Sequence, residues 1–198
     1  MPAGAHDSRI DEQELLQRVR RLDAAALGTV FDLYYAPLYR YLYIHLGHGP
    51  TAEDLAADVF RVLLEKTAAG QGPTEFLRAW LYRVAHNRMV DEIRRRKHRE
   101  HAALDEQLEE SLSADAGPAA ALQSSGEKNA LLEALQHLSE KQRAVLTLKY
   151  LQGLDNREIA RALHMTAGTV RALQYRGLRA LQRSLQNMES TSGELDEG

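Results

Sequence analysis

The hydrophobic positions of this chain recur with a helical period along most of its 198 residues. Leu and Ala are abundant, whereas Val, Ile and Thr are too scattered to form the alternating pattern of a β-strand. The period predicts helices over about 11–27, 29–46, 51–66 and 75–96, followed by four more between 131 and 185. Pro37 should kink or restart the second helix. The pattern therefore predicts an all-α fold.

Capping signals mark where several of these helices begin. Three residue pairs have the spacing of a capping box or resemble one: Thr51 with Asp54, Ser139 with Gln142, and Asp155 with Glu158. Thr166 can cap the last helix. The residues expected to face inward from the third, fourth and last helices are Leu55, Val59, Val62, Leu63, Leu77, Leu81, Val84, Ala85, Ile93, Val170, Leu173, Leu178, Leu181 and Leu185.

A stretch without aromatic residues or clear periodicity divides the chain. Residues 100–126 are rich in Ala, Ser, Asp and Glu and contain Gly117-Pro118, which is typical of a flexible linker. We therefore predict two small helical domains, at 1–99 and 127–187, joined by a flexible acidic linker. The acidic residues 188–198 are predicted to form a disordered tail.

Charge is segregated along the chain. The net charge of −3 by itself argues weakly against a nucleic-acid partner. Residues 76–101 and 156–183 each carry +5, whereas residues 101–127 carry −6 and residues 184–198 carry −4. Two basic blocks separated and followed by acidic ones indicate contact with nucleic acid at two places.

Several classes of protein are disfavoured by composition. No stretch approaches 18 consecutive apolar residues, and the first 11 residues lack the apolar segment of a signal peptide. The chain has no cysteine, which fits a reducing cytoplasm. Its eight histidines do not fall into a recognisable metal-ligand spacing, and no glycine-rich phosphate loop is present. We therefore expect a cytoplasmic protein without cofactor, metal or enzymatic activity.

Residues 155–181 carry the strongest local signal. A capped helix of about eight residues, a turn at 164–166 and a second helix form the pattern of a helix-turn-helix, whose second helix enters the major groove of DNA. The residues predicted to contact bases or phosphates are Arg157, Arg171, Gln174, Tyr175, Arg176 and Arg179. The alternative interpretation is a helical bundle with a solvated arginine face.

Two features of the first domain are more ambiguous. The fourth helix interleaves Phe76, Trp80 and Tyr82 with arginines, as single-stranded nucleic acid requires, although Phe76 and Trp80 could simply belong to the core. The third helix presents Glu53, Asp54 and Asp58 on one side. That acidic face could receive a basic protein, or it could be a solubilising surface.

Together these segments resemble a known family. Ala52-Glu-Asp54, Leu55-Ala-Ala-Asp-Val-Phe60, Phe76-Leu-Arg-Ala-Trp-Leu-Tyr-Arg-Val-Ala-His-Asn87, Asp91 and Arg94-Arg-Arg-Lys97 resemble region 2 of bacterial RNA polymerase sigma factors. Leu138-Ser-Glu-Lys-Gln-Arg-Ala-Val-Leu146, Asn156-Arg-Glu-Ile-Ala-Arg-Ala-Leu163 and Gly168-Thr-Val-Arg171 resemble region 4. With no room for a third domain between them, the layout is similar to the extracytoplasmic-function (ECF) group of the sigma-70 family.

The resemblance implies a role for each matched segment. The third helix would bind the clamp helices of the polymerase β′ subunit through Glu53, Asp54, Asp58 and Arg61, although Ala57 stands where the family usually has Gln. The loop at 67–74 would capture an unstacked base of the −10 element. The −10 region and its backbone would be bound by Arg83, Asn87, Arg88, Asp91, Arg94, Arg95, Arg96 and Lys97. The second domain would read the −35 element as a duplex and dock on the β flap.

The resemblance thus implies a subunit that binds core RNA polymerase, recognises −35 and −10 elements and promotes promoter melting. Its implied partners are core polymerase, duplex and single-stranded promoter DNA, and an anti-sigma factor. A sigma-mimicking adaptor that binds an anti-sigma factor without touching DNA is the main alternative. An adaptor would not need both basic blocks, and a free-standing helix-turn-helix repressor would not need the first domain or its acidic face.

Overall fold

The computed structural model describes residues 12–105 and 126–194. These residues form helices and turns, with no strand among them. The first segment contains α1 (Glu12–Arg20), α2 (Ala24–Leu46), α3 (Gly49–Ala68) and α4 (Leu77–Asp105). The second contains α5 (Gly126–Gln136), α6 (Glu140–Leu146), a π-helical turn (Thr147–Leu151), α7 (Asn156–Ala162) and α8 (Ala167–Glu194). The prediction of an all-α fold is confirmed.

The first two helices divide at a different place from the one predicted. The chain turns at Leu22, whose φ of 58° is left-handed, and α2 begins immediately afterwards. Asp23 caps α2 by accepting from the Ala26 N–H and also pairs with Arg18 at 3.1 Å. The prediction that the helix restarts at Pro37 is wrong, because α2 runs through it to Leu46. The helix stays continuous because residues on both sides of the proline are buried against the other helices: Val30 before it and Leu38, Tyr41 and Leu42 after it.

The cap of α3 is also not the one predicted. His48 is the N-cap, and its Nδ1 accepts from the Thr51 N–H at 3.2 Å. Pro50 lies in the first turn, where its missing N–H leaves no helical hydrogen bond unmade. Thr51 therefore lies inside the helix, where its hydroxyl contacts His48 Nδ1 and accepts from Arg96 of α4.

Two helices continue past the predicted domain boundaries. α4 reaches Asp105, beyond the boundary at residue 99, and α8 reaches Glu194, inside the segment predicted to be a disordered tail. Neither extension contains a proline, and Gly193 is the only glycine in them, so the sequence offers little to end either helix earlier. Most of the predicted acidic linker, residues 106–125, lies outside the described part of the chain, as do residues 195–198.

Most residues expected to face inward do so. Val59, Val62, Leu63, Leu77, Leu81, Ala85, Val170 and Leu173 are buried, and Leu55, Val84, Ile93, Leu181 and Leu185 are partly buried. Leu178 is the exception, with 42% of its surface exposed, because it lies away from the face of α8 on which Val170, Leu173 and Gly177 are buried. Three large residues that the helical pattern did not single out, Tyr41, Tyr82 and Met89, are fully buried.

The two domains are packed against each other. One continuous apolar core contains Leu77, Leu81 and Met89 of the first domain together with Leu148 and Ile159 of the second. In a second cluster, Ile44 at the end of α2 lies among Leu135, Leu138 and Leu146. This packing was not expected from the sequence, which predicted only a flexible connection between the domains.

His45 lies beside this second cluster and gives the fold a pH dependence. Burial lowers the pKa of His45 to about 3, aided by the positive charge of Arg143. The unfolded chain, with a histidine pKa of about 6.5, takes up a proton at higher pH than the folded chain does. The contribution of His45 to the free energy of unfolding should therefore be fully present well above pH 6.5 and be lost as the pH falls below that value.

We expect wild type to lose about 1.5 kcal/mol of unfolding free energy from His45 between pH 7.5 and pH 5.5. Urea denaturation at the two pH values measures the loss. His45→Gln should remove this part of the pH dependence, whereas substitution of the exposed His98 should leave it unchanged. An equal pH dependence in wild type and His45→Gln would contradict the assignment.

Candidate nucleic-acid and polymerase interfaces

The helix-turn-helix predicted at 155–181 is formed by α7 and α8. Asp155 and Glu158 make the capping box of α7: the Asp155 carboxylate accepts from the Glu158 N–H at 2.8 Å, and Glu158 accepts from the Asp155 N–H at 2.7 Å. The hydrogen bonds that the Asp155 carboxylate accepts from the Glu158 and Arg157 N–H groups lower its pKa. His164 has a left-handed φ of 51° in the turn between the helices, and Thr166 accepts from the Thr169 N–H at the start of α8. The local sequence thus determines both helix starts.

The close approach of α8 to α6 depends on a glycine. A Cβ at Gly177 would lie 3.1 Å from Leu146 Cδ1, closer than most side chains allow. This contact fixes the face of α8 that packs inward, and so the face that remains outward. On the outward face, Arg171, Tyr175, Arg176 and Arg179 are exposed, as predicted for a DNA-reading surface.

Gln174 is placed differently from its neighbours on α8. Its amide Nε2 donates to Asn156 Oδ1 at 2.9 Å, which ties α8 to the first turn of α7. Tyr175, in contrast, exposes 61% of its surface, and the Arg179 guanidinium lies 5.4 Å from its ring centroid. Arg157 is exposed near the start of α7. Gln174 would have to release Asn156 before the oxygen and the NH2 group of its side-chain amide could both bond to a base.

The residues of α4 that were predicted to bind the −10 region form two groups by exposure. Asn87, Asp91, Arg94, Arg95 and Lys97 are exposed, whereas Arg83, Arg88 and Arg96 are partly buried. Arg88 pairs with Asp58 of α3 at 2.7 Å. Arg96 donates to Glu92 at 3.2 Å and to the Thr51 hydroxyl at 2.8 Å, and thereby joins α4 to the start of α3.

Glu92 reduces the net positive charge of the arginines at 95–99. Its carboxylate, only 14% exposed, pairs with Arg95, Arg96 and Arg99. Glu92 entered the prediction only through the net charge of residues 76–101. Its position four residues before Arg96 and three before Arg95 is the helical spacing of ion pairs, so the signal was present.

The acidic face of α3 is smaller than predicted. Asp58 pairs with Arg61 of the same helix and with Arg88 of α4. The ion pair with Arg88 joins a residue predicted to bind polymerase, Asp58, to one predicted to bind DNA. Arg61 also pairs with Glu65. Asp54 is exposed and Glu53 is half-buried. Burial raises the pKa of the neighbouring Tyr35, and the negative charges of Glu53 and Asp54 raise it further.

An aromatic cluster that sequence analysis missed lies beside these acids. Phe31 stacks on Tyr35 and contacts Phe60, each at 4.9 Å between ring centroids. Phe31 and Leu64 each expose 44% of their surface, and the small Ala57 next to them is exposed as well. We call Phe31, Tyr35, Phe60 and Leu64 the aromatic patch. An exposed apolar patch rimmed by charge is typical of a protein-binding surface.

The loop between α3 and α4 faces the second domain. It covers residues 69–76, because α3 extends to Ala68, and Phe76 ends it with a left-handed φ of 52°. A cavity of about 550 Å³ lies between this loop and the helix-turn-helix. The Arg161 guanidinium lies 3.9 Å from the centroid of the Phe76 ring. Phe76 is therefore at the surface of its domain, whereas Trp80 is partly buried against the core.

Comparison with known proteins assigns the family. Residues 30–99 match the family described as Sigma-70 region 2, and residues 128–181 match Sigma-70, region 4. The chain is 32% identical over 184 residues to the ECF RNA polymerase sigma factor BldN of Streptomyces coelicolor, with 93% of this chain and 69% of BldN covered. It is 29% identical over 180 residues to the ECF sigma factor SigW of Bacillus subtilis, covering 87% and 96%. The chain belongs to the ECF group of RNA polymerase sigma factors.

Solved structures support the same fold. The sigma factor RpoE of Bartonella quintana, solved with the anti-sigma factor NepR, superposes with a TM-score of 0.63 at 22% identity, covering 80% of this chain and 96% of RpoE. CnrH, solved with the cytosolic domain of CnrY, gives 0.64 at 19% identity, covering 88% and 97%.

Among the helices of residues 12–105 and 126–194, none is both long and apolar enough to cross a membrane. The same residues contain no group of three or more side chains positioned to hold a metal ion.

Proposed function

We propose that this sigma factor directs core RNA polymerase to a defined set of promoters by binding a −35 element as duplex and a −10 element as melted single strand. The observation that carries the proposal is the coexistence of two basic helices with a separate acidic and aromatic protein-binding surface. A repressor needs only one basic helix, and an adaptor needs only the protein-binding surface. An initiation factor needs both basic helices, α4 and α8, and the protein-binding surface.

The first domain would bind the melted −10 strand along α4. The exposed Arg94, Arg95 and Lys97 would contact phosphates, and Asn87 and Asp91 would lie beside the bases. The loop at 69–76 would hold a base removed from the stack. Binding of the exposed strand by aromatic and cationic groups offsets the stacking energy lost in melting.

The second domain would bind the −35 element through the outward face of α8. Arg171 and Tyr175 lie in the first half of that helix, the part of a recognition helix that reaches base edges. Arg157, Arg176 and Arg179 would contact phosphates on either side. This domain would also dock on the polymerase β flap.

The polymerase clamp helices would bind across Glu53, Asp54 and the aromatic patch. Aromatic side chains dominate the binding energy of protein interfaces, and acids at the rim select a basic partner. Asp58 and Arg61 would support this surface through their ion pairs with Arg88 and Glu65. Because RpoE and CnrH were solved with NepR and CnrY, we also propose that an anti-sigma factor binds this chain in the cytoplasm.

Transcription in vitro tests the proposal. Purified chain and core polymerase would be combined with fragments of the source genome, and RNA 5′ ends would be sequenced. We expect initiation downstream of a shared pair of motifs. Failure of the chain to associate with core polymerase would refute the proposal, and binding of an anti-sigma factor without binding of promoter DNA would favour the adaptor interpretation.

Arg171 and Arg176 provide a matched pair for testing how α8 reads DNA. Both are exposed arginines on the same helix. Arg171→Ala should weaken binding to the preferred −35 duplex about tenfold and relax specificity at one base pair. Arg176→Ala should weaken all duplexes about equally and reduce the salt dependence by about one phosphate contact. Fluorescence anisotropy on a panel of single-base variants measures both effects, and uniform loss with Arg171→Ala would make it a phosphate contact.

A further inference from the structure

One carboxylate on α4 is shared by three arginines. Glu92 Oε1 accepts from Arg96 Nε and from Arg99 Nη2, each at 3.2 Å, and Glu92 Oε2 lies 3.7 Å from Arg95 Nη1. The arginines follow Glu92 by three, four and seven residues, which places all four side chains on one face of the helix. Only 14% of the Glu92 side chain is exposed, so its charge depends on these partners.

Arg96 is held on two sides. Its Nε donates to Glu92, and its Nη2 donates to the Thr51 hydroxyl of α3 at 2.8 Å. Only 30% of its side chain is exposed. Arg88, on the same side of α4, pairs with Asp58 of α3 at 2.7 Å. Arg88 and Arg96 therefore fasten α4 to α3, and a DNA phosphate can take Arg96 only by breaking that connection.

Arg95 and Arg99 are held more weakly. Their side chains are 66% and 72% exposed, and Glu92 is the one acid that each of them meets among the described residues. Ion pairs between exposed groups contribute little, because water screens the charges and long side chains lose freedom when they pair. A phosphate can therefore replace the Glu92 carboxylate as the partner of either arginine without moving the helix.

These two arginines border the surface proposed for the −10 strand. Arg94 and Lys97, which the proposed function places on phosphates, lie on a different face of α4 from Glu92. Arg95 follows Arg94 directly, and Arg99 lies one turn beyond Arg95. Phosphates that reach Arg94 and Lys97 would thus lie beside two guanidinium groups that Glu92 already neutralises in part.

The consequence for DNA binding is a limit on affinity. Each phosphate that an arginine neutralises releases counterions, and this release supplies much of the affinity and its dependence on salt. Phosphate contacts add affinity for any sequence. An acid that occupies two arginines therefore weakens the binding of every strand, and it lowers the number of phosphates that α4 neutralises.

We propose that Glu92 restrains the phosphate affinity of α4: its carboxylate fixes Arg96 against α3 and competes with the phosphates of the −10 strand for Arg95 and Arg99. The inference rests on the function proposed above, and it adds Arg99 to the residues that contact that strand. Glu92 is thus a positioning residue, which acts on DNA only through the arginines.

The test measures the affinity of purified holoenzyme for a short fluorescein-labelled single strand of A and T, by anisotropy over a range of salt concentrations. Glu92→Gln removes the charge but keeps an oxygen that can accept from Arg96. Glu133→Gln, which removes an exposed acid of α5, is the matched control for charge. Both substitutions are repeated in a background that carries Arg95→Ala and Arg99→Ala. Because the holoenzyme is purified before titration, the affinity for core polymerase does not enter the result.

We expect Glu92→Gln to bind the strand about threefold more tightly than wild type at low salt, and to lose affinity more steeply as salt rises, by about one phosphate contact. The control should match wild type. In the background without Arg95 and Arg99 the gain should disappear, and a gain of the same size there would overturn the competition. Unchanged or weaker binding by Glu92→Gln would overturn it as well.

The same titration separates this inference from the proposed function. If wild-type holoenzyme binds the strand no more tightly than core polymerase alone, the proposed binding of the −10 strand is refuted, and the role of Glu92 is refuted with it. If wild-type holoenzyme binds more tightly than core polymerase but Glu92→Gln gives no further gain, only the role of Glu92 is refuted.

Discussion

Leu81→Ala should lower the free energy of unfolding by about 3 kcal/mol, the largest loss of stability we expect from a single truncation. Leu81 is fully buried in the second turn of α4, within the core that both domains share. Removal of three carbon atoms there loses their burial and leaves a cavity that the surrounding helices cannot fill.

The midpoint and slope of urea denaturation followed by circular dichroism give this loss. Leu33→Ala is the matched control, because Leu33 lies on α2 with 46% of its surface exposed. Its truncation should change the unfolding free energy by no more than about 0.5 kcal/mol. A loss of less than about 1 kcal/mol in Leu81→Ala would mean that the core around α4 is loosely packed.

The double substitution Phe31→Ala with Leu64→Ala should weaken binding to core polymerase about thirtyfold. Both side chains belong to the aromatic patch and are 44% exposed, so their truncation removes contact area without opening the core. A pair of apolar anchors at the centre of an interface contributes about 2 kcal/mol, which corresponds to this change in affinity.

Surface-immobilised core polymerase and purified variants provide the measurement. Leu33→Ala is again a suitable control, because it lies two residues from Phe31 and therefore on the other side of α2. Unfolding midpoints within a few degrees of wild type would show that the double variant is folded. Unchanged affinity would place the clamp contact away from the aromatic patch.

The sequence predicted correctly the structural features whose information is local. The capping boxes at Ser139 and Asp155 are present as predicted, because a cap is decided by residues three positions apart. The helix-turn-helix followed from those caps and a short turn. Membership of the sigma-70 family followed from motif order along the chain, which folding does not alter.

The sequence was less informative about charge. Asp58 and Arg88 were assigned to different partners by their positions in the motifs, yet they pair at 2.7 Å across α3 and α4. Gln174 was assigned to DNA, yet it holds Asn156. In each case the partner lies 18 or more residues away in sequence, so helical spacing could not identify it.

The helical class, the capping boxes at Ser139 and Asp155 and most of the buried faces were thus determined by the sequence alone, because each depends on side chains within one or two turns of each other. The tertiary structure decided which charges are neutralised, where aromatic residues of α2 and α3 meet to form the aromatic patch, and that the two domains close on each other. These properties depend on pairs such as Arg78 and Glu158, which are 80 residues apart and meet only when the apolar faces of α4 and α7 pack together.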